Sequence, residues 1–421
     1  MKVSVAGSDI HTIAYSLICL QEMNLNYYYP PIYWATAVLT VNAGALDDEE
    51  SSTGTNYKKV ASAIGRIQSE GYKVELPNIN KANFAFTPNA ENNSILYGLK
   101  GISEINDDFV KVIIKNRPYT SVQDFIEKCN PQKKQIINLI KAGAFQDFGH
   151  RRNIMEDYLR SICPQKAHIT LQNMKSLIEY SLIPKDLQNY VYLFNFNKYI
   201  KQFEVVEGYK VDSRAKKFLE TNYPQVDCSN GYIDKKVWKK TYDNDMDTLK
   251  GWLKENEQKL KESIQDKEIE KLWEQYCSGN NSSWEMEVLG FYHSPHELLG
   301  LQADTVSIKN LVDGDYKHQV NIAGTVLGKD AYKHMVTILT VDGVIDLKFS
   351  NEQFAKYNRI ISDVINGSKK VLEKSWFVKG TLVYVRGFKM GETFRVRQIS
   401  KIISIKDNGK AVMTKYRYGE G

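Results

Sequence analysis

The segment from Ile95 to Gly149 reads ILYGLKGISEINDDFVKVIIKNRPYTSVQDFIEK and, after CNPQ, KKQIINLIKAGAFQDFG, and it leaves the chain few ways to fold. Phe109, Val112 and Ile113 recur at helical spacing, Lys111 and Lys115 fall on the polar side, and Arg117-Pro118 stops the element. A second helix follows, with Ile136, Ile137, Leu139 and Ile140 as its apolar side, Lys133 and Lys134 near its start and Ala142-Gly143-Ala144 at its end. Short helices joined by tight turns cannot bury both faces alone, so they pack on each other and present the turns outward. Turn amides beside a helix N-terminus bind phosphate oxygens without reading sequence.

The order YGLKGISEIN, then RPYTSVQDF, then LIKAGAFQDFG resembles the tandem helix-hairpin-helix region of the bacterial family C DNA polymerases, the DNA polymerase III alpha subunits. Upstream, His11, Ala14-Tyr15, Gln21, Tyr29-Pro30 and Ala37 to Thr40 resemble the last fingers helices of that family, and Glu70 to Thr87 resembles its link into the hairpins. Downstream, LGFYHSPHEL (Leu289 to Leu298) is similar to the segment just before its oligonucleotide-binding fold. The resemblance implies a duplex grip at Ile105, Asn106, Lys111, Lys133, Lys134, Gly143, Ala144, Arg151 and Arg152, and contact of His11 and Tyr15 with an incoming nucleotide.

The chain also departs from the family pattern. Glu104 and Asn106 stand where the family places glycines in the first hairpin. Asn tolerates a left-handed backbone and Glu does so poorly, while a carboxylate repels phosphate, so the second hairpin, around Gly143, is expected to bind DNA better. Asp9-Ile10 replace a lysine and a serine before His11, and Asp9 would oppose a triphosphate. A helix core built on Tyr15, Leu17 and Ile18, with His11 at the surface, is the alternative for that segment.

With 421 residues, 42% of them hydrophobic, the chain should form roughly two or three domains, and 25% charged and 11% aromatic residues describe a globular protein. Cys19, Cys129, Cys163, Cys228 and Cys277 are far apart and make no metal-type pair, which fits free thiols in a reducing cytoplasm, and the resemblance implies a bacterial cell or a virus that infects one. No apolar run approaches the roughly 20 residues of a membrane span, and the N-terminus has no apolar core of signal-peptide length.

The net charge of +6 is unevenly spread: His318 to Tyr418 holds 18 Lys+Arg against 8 Asp+Glu, a net +10 that leaves −4 elsewhere. That region reads as strands, QVNIAGTVLG, HMVTILTVDGVIDLKF and TLVYVRGFKMGETFRVRQI, with turns at Asp342-Gly343 and Met390-Gly391 and a helix from about Glu352 to Ile365. Five strands with an inserted helix suggest a small Greek-key barrel of the oligonucleotide-binding type. Arg395 and Arg397 leave one face of a strand, Lys348 and Arg386 lie on others, and Tyr332, Phe349, Tyr384 and Phe388 could stack bases, the combination that sequence-tolerant single-strand binding needs. The alternative is aromatics that fill the barrel beneath a solvated charged face, and Trp376-Phe377 read as core.

The middle carries less signal. DTLKGWLKENEQKLKESIQDKEIEKLWEQYC reads as one amphipathic helix, with Leu249, Trp252, Leu253, Leu260, Ile264 and Leu272 apolar, and Asn280 to Ser283 as a flexible joint. The expected fold is α+β and multidomain: 1–75 fingers-like helices, 76–152 tandem hairpins, 153–283 a helical insertion, 284–317 a linker and 318–421 the barrel. Polymerisation needs metal ions held by clustered carboxylates. No such signature occurs; Asp47-Asp48-Glu49-Glu50 reads as a solvated loop, and Mg2+ is expected only in a palm that this chain lacks. The expected partners are therefore duplex and single-stranded DNA, a palm-bearing chain (separately encoded, or this chain being a processed fragment of the polymerase) and, by resemblance, the sliding clamp, although Gln302-Ala303-Asp304 is no clean clamp peptide. A stand-alone DNA-binding protein is the alternative function, and a hydrolase using His293, His296 and Glu297 a remote third.

Overall fold

The computed structural model describes residues 3–44, 54–171, 174–313, 318–365 and 368–414; the acidic run at Asp47 to Glu50 lies outside them. They divide into two compact units, 1–155 with 279–421, and 156–278.

The first unit opens with helices α1 (Val3–Tyr28), α2 (Pro31–Asn42) and α3 (Tyr57–Ser69). The Asn56 side chain caps α3 by accepting from Lys59 N at 3.1 Å. A small sheet follows, β1 (Lys73–Glu75), β2 (Thr87–Asn89) and β3 (Ser94–Leu96), in the order β1-β3-β2. The hairpin helices are α4 (Asp107–Lys115), α5 (Val122–Cys129), α6 (Lys133–Lys141) and α7 (Arg151–Ile162). Asn106 caps α4 and Ser121 caps α5, and Asn130 ends α5 in the left-handed region at φ 45° just before Pro131. Phe109, Tyr119 and Phe145 all meet Phe125 edge-on in the hairpin core. Val112 is 37% exposed, and α4 buries Phe109, Val110 and Ile113 instead.

The second unit contains α8 (Met174–Glu179), α9 (Lys185–Ile200), β4 (Gly208–Lys210), α10 (Ser213–Asn222), β5 (Tyr232–Asp234) and α11 (Lys235–Tyr276). The long helix has 42 residues and begins about a dozen positions before the predicted start, because Asp234 caps it by accepting from Lys236 N and Val237 N. Trp238, Leu249, Leu253, Leu260 and Ile264 bury its inner side with Leu193, Phe196, Ile200 and Leu219, and Trp238 donates to Asn197 at 2.9 Å.

The first unit resumes with α12 (Asn281–Leu289) and α13 (Ile308–Asp313). Asn280 to Ser283 form a capping box at the start of α12, not a flexible joint: Asn280 accepts from Ser283 N, and Ser283 accepts from Asn280 N. Then come β6 (Val320–Asp330), β7 (Met335–Leu339), β8 (Val344–Lys348), α14 (Asn351–Asn358), β9 (Ile361–Ile365), β10 (Ser368–Glu373), β11 (Leu382–Met390), β12 (Thr393–Ile405) and β13 (Ala411–Thr414). The main sheet runs β11-β6-β7-β8-β12-β13, and β11 pairs with β12 as well as β6, so five strands pair in a ring. The predicted helix stops at Asn358, and the β-branched stretch from Ile361 forms a two-stranded ribbon with β10. With its helical first two-thirds and β-rich end, the chain is α+β.

Candidate nucleic-acid interface

In the first hairpin, a single 3-10 turn (Leu99–Gly101) leads through Ile102 to Asn106 into α4. Glu104 occupies the left-handed region at φ 66°, a cost of roughly 1 kcal/mol for a residue with a side chain. Asn106 is extended instead, and its side chain is spent on Phe109 N at 2.9 Å. Ile105 is 3% exposed and its amide donates to Ile102 O, so it anchors the turn and offers nothing outward. Glu104 pairs with Lys134 of α6 at 2.6 Å, and both side chains are largely exposed. Asp107 and Asp108 open α4, and Asp107 pairs with Lys100. The turn thus presents three carboxylates, Glu104, Asp107 and Asp108.

The second hairpin differs from expectation at its centre. Gly143 has φ +77°, and a Cβ there would lie 3.0 Å from Leu76 Cδ1 and 3.2 Å from Arg151 Nε. The left-handed backbone favours glycine, and any side chain there would press on the Leu76 methyl and on the arginine lying across the turn. Gly143 N donates to Ile140 O and Ala144 N to Leu139 O, and both residues are buried. Their amides close the C-terminus of α6 and do not form an open phosphate cradle. Arg151 is also withdrawn, its guanidinium pairing with the buried Glu285 of α12 at 2.7 Å. Lys111, Lys133, Lys134 and Arg152 remain at the surface. Any duplex contact on these hairpins therefore runs through long cationic side chains.

On the five-stranded ring, the burial of β12 alternates as predicted: Phe394 and Val396 point inward, Arg395 and Arg397 outward. β8 runs parallel to β12 with Lys348 opposite Arg395, and β11 runs antiparallel with Phe388 opposite Arg395. The Arg397 guanidinium lies 5.2 Å from the Phe388 ring centre. A register shift after Arg386 leaves both Arg397 and Gln398 exposed, and Gly387 permits it, since a Cβ there would meet Arg395 O at 2.0 Å. Lys348 donates to Lys333 O in the β6–β7 turn, where Tyr332 is 94% exposed. The structure thus places Lys348, Arg386 and Phe388 on the same outer face as Arg395 and Arg397, with Tyr332 at its rim.

Phe349 does not belong there, whereas Tyr384 shares the outward side of β11 with Arg386 and Phe388 but has its hydroxyl engaged. Phe349 is 4% exposed and packs with Phe354 and Phe377 inside the ring, because it follows the last outward residue of β8. Tyr384 is half-buried, its hydroxyl donates to Asp304 O at 3.1 Å, and burial raises its phenol.

His11 and Tyr15 lie one turn apart on α1 with ring centres 6.1 Å apart. Every side chain described on α1 is exposed, including Ile13, Tyr15, Leu17, Ile18, Leu20 and Met23, so the helix-core alternative for this segment does not hold within the chain itself.

His293, His296 and Glu297, the hydrolase alternative, are engaged structurally. His296 Nε2 lies 3.2 Å from Leu339 O, and Nδ1 accepts from Leu298 N; burial pulls its pKa down to about 4. Glu297 accepts from the Tyr292 hydroxyl at 2.7 Å, and His293 contributes its backbone amide to Glu285. Among the described residues no group of three or more His, Cys, Asp or Glu side chains could hold a metal ion, and no helix is long and apolar enough to cross a membrane.

Comparison with known proteins gives three kinds of relative. A helix-hairpin-helix motif family model matches residues 71–155. A probable DNA polymerase of Bacillus subtilis, YorL, and a DNA-directed DNA polymerase of Bacillus phage SPbeta are each 40% identical over 92% of this chain. The DNA polymerase III subunit alpha of Campylobacter jejuni is 29% identical over 48% of the chain, covering 16% of that protein. The chain spans about a third (32%) of the length of the Bacillus subtilis and phage relatives.

Proposed function

Because the chain is a homologue of the family C DNA polymerases and carries their helix-hairpin-helix region, we propose that it is a DNA-holding portion of such a polymerase. In this reading the exposed cations of the hairpin helices, Lys111, Lys133, Lys134 and Arg152, track the phosphates of a primer–template duplex. The ring of β6, β7, β8, β12 and β11, read as an oligonucleotide-binding barrel, takes single-stranded template on its Lys348, Arg386, Phe388, Arg395 and Arg397 face, with Tyr332 as a stacking platform. The observation that carries the reading is this cationic, aromatic face in the same compact unit as the hairpins. Backbone-directed cations beside exposed rings suit a ligand with repeated charge and flat bases, whatever its sequence.

The catalytic step is assigned to a separately encoded palm-bearing chain, whose carboxylates would hold the magnesium ions. Helix α1 supports a contact with a palm, whether of the same polypeptide or another: Ile10 (68% exposed), Ile13 (61%) and Met23 (69%) are apolar surface of the kind that marks a protein contact. Once a palm-bearing chain covers it, His11 and Tyr15 would stand beside the incoming nucleotide.

The test is primer extension by a family C palm-bearing chain with and without this protein. Stimulated extension, together with a complex that survives gel filtration, is the expected result. DNA binding without a complex or any change in extension would leave only a stand-alone DNA-binding protein.

A further inference from the structure

The segment LGFYHSPHEL and the helix before it contain a bonded path that the DNA-holding reading does not use. Glu285 of α12 has a side chain that is 0% exposed. One of its oxygens accepts from Arg151 Nη2 at 2.7 Å and Ser294 Oγ at 2.9 Å, and the other from His293 N at 2.9 Å and Ser294 N at 2.6 Å. Arg151 stands at the start of α7, just after the second hairpin, and its Nη1 donates to the carbonyl of Lys141 at the end of α6. The guanidinium therefore holds both ends of the hairpin turn. From the other side, the Tyr292 hydroxyl meets Thr325 Oγ1 of β6 at 2.8 Å, and His296 meets the carbonyl of Leu339 at the end of β7.

A fully buried carboxylate persists only when its charge and lone pairs are all answered, and removing one partner leaves the rest stranded. Here every answering group comes either from the hairpin or from the strap leading into the ring. Each bond in such a network opposes a change of distance between the two.

We infer that Glu285 is a positioning residue that locks the second hairpin to the five-stranded ring, so that a duplex with a single-stranded extension is held at both places at once. The inference rests on the DNA-holding reading. Two sites at a fixed, matching separation make the second contact intramolecular, and such linkage raises apparent affinity by roughly 100-fold or more over either contact alone. A loose linkage would spread the second site over more volume and forfeit part of that gain.

The experiment compares binding of three DNAs to the full chain: a blunt duplex, an oligothymidylate, and the duplex carrying the oligothymidylate as an overhang. The wild-type protein should prefer the overhang DNA to either part by about 100-fold. Glu285→Gln should lose roughly tenfold of that preference while its affinity for the blunt duplex and for the free oligothymidylate stays the same. Tyr292→Phe, which removes one hydroxyl at the far end of the path, should shift the preference in the same direction and carries the test if Glu285→Gln does not fold. A full preference retained by either folded variant overturns the inference and leaves the DNA-holding reading intact. Tight binding of each part by the wild type with no preference for the overhang does the same, whereas a wild type that ignores all three DNAs overturns both.

Discussion

In the proposed reading, single side chains set how the hairpins would meet DNA, and Glu104 is the clearest case. It sits in a glycine-type backbone conformation and draws Lys134 to itself. Glu104→Gly removes a carboxylate from the turn, frees a lysine and relieves the strained φ, whereas the exposed pair it breaks is worth about 0–1 kcal/mol. The expected outcome is duplex affinity several-fold tighter in a fluorescence titration, with no loss in melting temperature; an unchanged affinity removes the first hairpin from the interface. His296 gives a second expectation. Its pKa falls from 6.5 to about 4, so the unfolded chain binds the extra proton first as pH drops. Its contribution is therefore complete above about pH 6.5 and is lost progressively toward pH 4, by at most about 3 kcal/mol. Glu297, raised by burial, works in the opposite sense. Urea unfolding across this range should show stability falling with pH in the wild type and a flatter or reversed trend in His296→Gln; equal trends would contradict the assignment.

Helices and strands were legible in the sequence where local pattern and tertiary demand coincide. The alternation around Arg395 and Arg397 predicted their shared face, and the apolar run at Ile136 to Ile140 predicted α6. Replacing both arginines by alanine should weaken oligothymidylate binding at least tenfold, the loss of two charge contacts and one guanidinium over a ring, and leave duplex binding unchanged. Unaffected single-strand binding would make that face a merely solvated one. Caps were harder to read. NNSS has the composition of a linker, and only the reciprocal bonds of Asn280 and Ser283 show it to be a helix start. Asn280→Ala should cost about 1 kcal/mol, read as a lower denaturation midpoint. Phe349 was illegible for another reason: it is the residue after an outward lysine at a strand end, and nothing local says whether the pleat continues. Arg151 and Gly143 carried the family signal for DNA contact, yet their partners Glu285 and Leu76 are far away in sequence. Long-range pairing of that kind leaves no local trace.

For the molecule as a whole, charge and exposed surface point the same way. The net positive end lies in the ring, the hairpin helices as far as Met155 belong to the same compact unit, and α1 offers apolar surface that nothing described in the chain covers. A complex with a palm-bearing chain should slow hydrogen exchange across Ile10 to Tyr28, and no change there would remove α1 from the contact. The central claim is that this chain holds DNA through its phosphates, and the most direct test is equilibrium binding of the purified protein to an overhang duplex over a series of salt concentrations. The account predicts tight binding in dilute salt, a logarithmic slope of several units, and a slope smaller by roughly one to two units when Lys133 and Lys134 are both alanine. Binding that is absent in dilute salt, or indifferent to salt, would contradict it.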